Sequence, residues 1–306
     1  MKISVIGAGN VGALSAMRMA ELKLGDIVLV DIAKGVAQGK SLDLEDTRSI
    51  LKADYDIKGC EDINSIEDSG VVVITAGLAR KPGMTREELL TKNSSILKDV
   101  CLNIQKLAPE AIVVVVTNPL DLMTYLALKV TGFSKNRIIG MGVSLDASRF
   151  ANLISQELKL NPTDVTPVVI GAHGQGMIPL ARHTRVKGES LEKILNKEKI
   201  DSLLKRTIER GAEIVSCLGS GSAFFAPSAA VAEVVKAIAK DEKKVLGACV
   251  YLTGEYGIKD ICIGVPVCLG KNGVEDIIKL ELSDGEKKEL MDSADSIQNL
   301  LRQFSF

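Results

Sequence analysis

The chain has no tryptophan, only two histidines, and aromatic residues make up 3% of its 306 positions. A histidine base is therefore either His173 or His183. It also lacks an excess of charge. Lys and Arg number 38 against 39 Asp and Glu, a formal net charge of −1, which leaves no basic field to hold nucleic acid or an anionic membrane. No apolar run approaches the roughly 20 residues needed to cross a bilayer. The first residues read as a strand with no separate signal segment, which predicts a cytoplasmic protein. Cys60, Cys101, Cys217, Cys249, Cys262 and Cys268 include no CxxC pair and mostly lie in apolar runs, so buried thiols are expected and neither a metal site nor a disulfide framework is. Low-complexity linkers and internal repeats are absent too. A composition of 46% hydrophobic and 25% charged residues is that of a globular protein long enough for two lobes.

What is present is concentrated at the start. The apolar run Ile3, Val5, Ile6 predicts a buried strand, and Gly7, Gly9 and Gly12 follow at the spacing GxGxxG before an apolar-periodic helix from about Asn10 to Leu24. Gly7 permits the tight turn, Gly9 lets backbone approach a pyrophosphate, and Gly12 lets the helix pack close to the sheet. The expected cofactor cradle is Gly7, Ala8, Gly9, Asn10, Val11 and Gly12, with free N–H groups of the helix start aimed at the anion. Nineteen residues beyond Gly12, Asp31 closes the run IVLVD. A carboxylate there accepts hydrogen bonds from a ribose diol and repels a 2′-phosphate, which favours NAD over NADP. Taken alone, the glycine motif also fits a strand and helix that merely pack closely. The strand before it, the helix after it and the acid at this distance select the cofactor reading.

The first half alternates apolar runs near 2–6, 27–31, 70–75, 112–117 and 137–140 with helical patterns near 10–24, 34–51, 85–107 and 119–131, a βαβ series with a mostly parallel sheet. Gly7, Asp31, Thr75 and Asn118 then fall at the carboxyl ends of strands, where such sheets bind ligands. From about Leu145 the pattern turns to α+β with antiparallel character. A helix to about Leu158 is followed by a strand from Asp164 to Ile170, helices near 190–217 and 224–240, strands near 245–252 and 260–269, and a last helix from about 284.

His173 lies in Gly171-Ala172-His173-Gly174-Gln175-Gly176, a glycine-rich turn after a strand that offers an imidazole to a cleft; His183 has the setting of a surface or structural residue. Asp146 and Arg149 stand three apart at a helix start, so both reach one region. Two readings stand: an N-terminal acid with a solvated arginine, or a carboxylate that orients an imidazole beside a guanidinium that grips a substrate carboxylate. Residues 78–87, with Arg80, Lys81 and Arg86 around Pro82-Gly83, read either as a hydrated basic loop or as a lid that carries charge onto a bound anion.

GAGNVG, TAGLARKPGMTREELL, VVTNPLDLMTY, SLDASRF, GAHGQGMIPL, GSAFFAP and GEYG with GVPVCLGKNGVE, in this order over nearly the whole chain, resemble the lactate/malate dehydrogenase family and within it the malate enzymes of the lactate-dehydrogenase-like type. The resemblance implies NAD-dependent, reversible oxidation of (S)-malate to oxaloacetate. By matching positions, it implies that His173 is the proton acceptor, Asp146 its orienting carboxylate, Arg149 the clamp on the C1 carboxylate and Arg86 the lid cation that polarises the C2 oxygen. Asn118 would touch substrate and nicotinamide, Asn93 the cofactor, and Val116 and Thr117 belong to the same cofactor-lining run. Arg80 bears on the substrate, because the lactate enzymes typically carry glutamine at the matching position. Closing a dry lid over lactate would leave Arg80 without a partner, at about 3–5 kcal/mol, or roughly two to four decades of specificity. An L-lactate or broad 2-hydroxyacid dehydrogenase, or a noncatalytic NAD-binding protein, are the alternatives. Two departures are Gln175, where the family usually has an acid, and GMGVSLD, where MAGVLD is usual. The expected fold is α/β: a Rossmann-type doubly wound, mostly parallel sheet over 1–143, with a lid at about 78–90, and a C-terminal α+β substrate domain over 144–306. A homotetramer or homodimer is implied by the resemblance.

Overall fold

The structure is a computed structural model that describes residues 1–78 and 86–303, with the side chain of Arg86 left out. Along the chain it forms β1 (Lys2–Ile6), α1 (Asn10–Glu21), β2 (Asp26–Val30), α2 (Val36–Leu51), β3 (Ile57–Cys60), β4 (Val71–Ile74), α3 (Arg86–Leu107), β5 (Ile112–Val115), α4 (Leu120–Thr131), β6 (Ile138–Gly140) and α5 (Val143–Leu158). The second half adds β7 (Val165–Thr166), β8 (Val169–Gly171), β9 (Met177–Pro179), β10 (Arg185–Val186), β11 (Glu189–Ser190), α6 (Leu191–Ile194), α7 (Lys197–Leu218), α8 (Phe225–Ala239), β12 (Lys244–Thr253), β13 (Lys259–Gly270), β14 (Gly273–Ile277) and α9 (Asp284–Gln303).

The short strands VVVI of β4 and IVVV of β5 are apolar at every position and buried at every position, because helices cover both faces of the sheet. Among the described residues, eleven strands join one sheet in the order β3-β2-β1-β4-β5-β6-β12-β13-β8-β9, with β14 on β13. The first six pair in parallel, and from β6 onward the pairing is antiparallel. Strand order reverses between β1 and β4, which opens a crevice at the carboxyl ends of those strands. One core cluster runs from Ile3 and Val5 through Val113 to Val265 and Ile297, across both halves.

Four expectations change. The edge strand β3 has no apolar run to announce it: IKGC is fully buried only at Ile57. Gly59 serves the approach of α2, since a Cβ there would lie 2.1 Å from the Ala37 carbonyl oxygen. The expected strand from Asp164 to Ile170 is two strands in different sheets, β7 and β8, separated at Pro167, which has no N–H for a ladder. The expected helix over 190–217 is interrupted at Asn196, whose side chain accepts the Lys199 N–H at 3.0 Å and starts α7 afresh. Of the cysteines read as buried, Cys101, Cys249 and Cys262 are; Cys60 and Cys268 are half-buried, and Cys217 is exposed on α7. Most of the expected lid lies outside the described residues: Arg80 is outside, and of Arg86 only the backbone is described.

Candidate active site

The β1–α1 turn has little room for side chains and one open face. Gly7 stands at φ +105°, and a Cβ there would come within 2.7 Å of the Ala76 nitrogen. At Gly12 a Cβ would lie 1.8 Å from the Gly7 carbonyl oxygen, whereas at Gly9 it would meet nothing within 4 Å. The first turn of α1 contains no acid and its start has no side-chain cap, so the N–H groups at Asn10, Val11 and Gly12 stay free for an anion. Asp31, at the end of β2, accepts the Ala8 N–H at 2.6 Å through Oδ2 and the Ala33 N–H at 2.9 Å through Oδ1. Its carboxylate is thereby fixed beside the glycine turn. Lys40, which pattern reading missed, donates to the Ala8 carbonyl at 2.6 Å. An open backbone cradle, an uncapped helix start and an anchored carboxylate fit an adenine dinucleotide.

Further along the strand ends, Thr117 Oγ1 donates to the Ala76 carbonyl at 2.7 Å, and Val116 is half-buried beside it. Asn93, buried on α3, accepts the Leu78 N–H at 2.8 Å and donates to the Asn118 carbonyl at 2.8 Å. It ties the segment that leads toward residue 80 to the loop of Asn118. Asn118 precedes Pro119 through a cis peptide bond and borders a cavity of about 240 Å³ with Arg149, His173, Gln175 and Ala223.

His173 sits in the connection between β8 and β9. Gly171 and Gly174 take φ of +91° and +95°. Gly171 pairs across the sheet with Gly264, where a Cβ would lie 2.6 Å from the Gly171 carbonyl oxygen, so two glycines let β8 and β13 meet beneath the turn. His173 Nδ1 lies 2.8 Å from Oδ2 of the fully buried Asp146 on α5. A carboxylate accepts only, so Nδ1 carries the proton and Nε2 is the free nitrogen of the neutral ring. Asp146 Oδ1 accepts from Arg149 Nη1 at 3.1 Å. Arg149 is 11% exposed and lines the cavity, and among the described residues its buried Nε has no partner. Burial opposes the charged form of His173, but the charge and hydrogen bond of Asp146, with a smaller contribution from Asp121, raise its pKa above the ordinary 6.5. Burial lowers the pKa of Arg149 against the pull of Asp146.

His183 does not line the cavity; its Nε2 is 3.1 Å from the Glu281 carbonyl. Two residues near the turn escaped sequence reading. Asp121 Oδ2 accepts the His173 backbone N–H at 3.0 Å, and Ser293 Oγ accepts the Ala172 N–H at 2.9 Å. Asp121 is an acid inside the otherwise apolar PLDLM, a signal that was available; Ser293 carried none.

A dinucleotide cradle on a parallel sheet, joined to a second half that presents an acid-bound imidazole, defines an NAD-linked dehydrogenase. The profile of the lactate/malate dehydrogenase NAD binding domain matches residues 1–140, and that of the lactate/malate dehydrogenase alpha/beta C-terminal domain matches residues 143–305. The chain belongs to the lactate/malate dehydrogenase family. It is 49% identical to the malate dehydrogenase of Methanosarcina barkeri over 302 residues, 99% of this chain and 98% of that one. Among solved structures, the malate dehydrogenase of Cryptosporidium parvum aligns with a TM-score of 0.96 at 41% identity, covering 99% of this chain and 98% of that chain. The lactate dehydrogenase of the same organism, complexed with lactic acid and nicotinamide adenine dinucleotide, aligns at 0.95 with 38% identity and the same coverage.

Proposed function

We propose that the chain interconverts (S)-malate and oxaloacetate with NAD, using residues 1–143 to hold the cofactor and 144–306, together with Asn118, Arg80 and Arg86 of the first part, to hold the dicarboxylate. The observation that carries the reading is the chain Arg149–Asp146–His173, with one carboxylate bridging a guanidinium and an imidazole at 3.1 and 2.8 Å. Bound NAD supplies the acceptor, or in the reduced form the donor, of the C2 hydride. Neutral His173 takes the malate hydroxyl proton at Nε2, and Asp146 stabilises the imidazolium that results. In the reverse direction imidazolium His173 returns that proton to the carbonyl oxygen. Arg149 grips the C1 carboxylate with the donors that Asp146 leaves free. Asn118 orients the substrate from beyond the carboxyl end of β5, Arg86 polarises the C2 oxygen, and Arg80, which lies outside the described residues, pairs with the C4 carboxylate. Gly7, Ala8, Gly9, Asn10, Val11 and Gly12 would hold the cofactor's pyrophosphate, Asp31 its ribose, and Val116, Thr117, Asn118 and Asn93 its nicotinamide end.

Among the described residues no helix is long and apolar enough to cross a membrane. A cytoplasmic homotetramer or homodimer completes the proposal. The deciding experiment measures loss of NADH absorbance with oxaloacetate and with pyruvate at matched concentrations, for the unaltered enzyme and for Arg80→Gln. The expected outcome is a preference for oxaloacetate of about two to four decades that narrows in the variant. Comparable pyruvate turnover by the unaltered enzyme would make it a lactate or broad 2-hydroxyacid dehydrogenase, and tight NADH binding with no turnover a noncatalytic binder.

A further inference from the structure

The turn that carries His173 is held at two adjacent N–H groups by two different acceptors. The Ala172 N–H donates to Ser293 Oγ at 2.9 Å, and the Ser293 hydroxyl donates to the Gly176 carbonyl at 2.9 Å, so α9 closes both ends of the turn with a neutral group. The His173 N–H donates instead to Asp121 Oδ2 at 3.0 Å. Asp121 is buried in the first turn of α4, and among the described residues its Oδ1 has no nitrogen or oxygen donor. Its side-chain neighbour is the Cys249 thiol of β12, which in turn contacts the Cys262 thiol of β13. Burying a carboxylate with so few donors is costly, and a turn that needed only an acceptor is served by a hydroxyl one residue earlier. The charge itself therefore needs an explanation, and the nearest cation able to supply one is a protonated His173.

We propose that Asp121 is a second acid for His173, a positioning residue that holds the ring through its backbone N–H and stabilises its protonated state from within the protein, while Asp146 does so at Nδ1. This rests on the reading of His173 as the proton-transfer group. The groups that bear on the pair are Asp146 and Arg149 from α5, Cys249 from β12 and Cys262 from β13, with neutral Ser293 from α9. Burial pushes the Asp121 carboxyl up to about 6, against the lowering pull of Cys249 and His173. Burial also pushes the Cys249 thiol well up, so it remains a neutral donor. Asp121 is thus ionised above about 6, where it favours the imidazolium, and loses that effect as pH falls through its own titration.

With only two histidines, the imidazole Cε1–H signals of His173 and His183 are assigned by the single variant His183→Gln, and the ring midpoint of His173 is read directly by NMR. In Asp121→Asn, which keeps an oxygen for the His173 N–H and removes the charge, the midpoint is expected to fall by about 0.5 to 1 pH unit. The acid limb of malate oxidation should move down with it, and kcat should fall about three- to tenfold with KM for malate unchanged. Ser293→Ala should leave the midpoint in place. An unmoved midpoint in Asp121→Asn, or an equal shift in Ser293→Ala, overturns the proposal. For the case in which Asp121→Asn does not fold, the Asp121 carboxyl carbon of the unaltered, ¹³C-labelled enzyme must be ionised where the His173 ring titrates and must show an inflection at the ring midpoint; a carboxyl still protonated through that midpoint, or one with no inflection there, overturns it equally. A shifted midpoint in a protein with no malate turnover would leave Asp121 as a second acid and sink the proposed reaction instead.

Discussion

The role proposed for His173 as a base rests on what it touches. A free imidazole titrates near 6.5, and the fully buried Asp146 at 2.8 Å both fixes which nitrogen is free and raises that value. The sign follows from the proton each direction needs. Malate oxidation requires the neutral ring, so its rate should rise with pH through a midpoint above 6.5; oxaloacetate reduction requires the imidazolium and should decline over the same interval. Rate profiles in both directions check this, and a shared midpoint below 6.5 would contradict it. His173→Asn removes the proton carrier while the cofactor cradle is untouched. Turnover should drop by about two to four decades with NADH affinity retained, and a variant that turned over at near-normal rate would end the assignment.

At the level of elements, the β1–α1 turn and the β8–β9 turn share one device: glycine where a neighbouring backbone leaves no room. A Cβ at Gly12 would lie 1.8 Å from the Gly7 carbonyl oxygen, backbone that cannot swing aside as a side chain can. Gly12→Ala should therefore shift α1 away from β1 and disturb the free N–H groups at its start. Thermal melts by circular dichroism should show a loss of about 1–3 kcal/mol, and NADH titration a weaker complex. Unchanged affinity would mean that the cradle does not need this close packing. The helices contribute in turn by what they hold in place: α3 ties Leu78 to Asn118 through Asn93, and α9 holds both ends of the His173 turn through Ser293.

Across the whole molecule the sheet is continuous. β6 pairs in parallel with β5 and, at Gly140, antiparallel with Cys249 of β12. Helix α8 of the second half lies on α1 of the first, with Arg18 Nε donating to Ser228 Oγ at 3.1 Å. One apolar cluster spans both halves, so neither half can unfold without exposing the core of the other. Calorimetry should show a single transition, displaced upward as a unit by NADH, with about 2.7 kcal/mol gained at a hundredfold excess over Kd. Two transitions, of which NADH moves only one, would show that the halves melt independently.

Local pattern was enough for the parallel half, because its strands are buried on both faces and read as unbroken apolar runs, and because GxGxxG and Asp31 lie within one βαβ unit. It also singled out His173, since a chain with two histidines puts only one of them in a glycine-rich turn. The edge strand β3 was hidden because, unlike the equally short β4 and β5, it is not an unbroken apolar run, and the division of 164–170 between two sheets because strands of two or three residues carry no period of their own. The choice between a solvated Asp146 and an orienting one was likewise beyond spacing: only folding buries that carboxylate and brings it to His173, 27 residues away in the chain. Asp121 and Ser293 lie 52 and 121 residues from the N–H groups they accept. Periodicity and motifs report neighbours along the chain, whereas hydrogen bonds and desolvation act between neighbours in space, and for these residues the two sets coincide only after the sheet has closed around the turn.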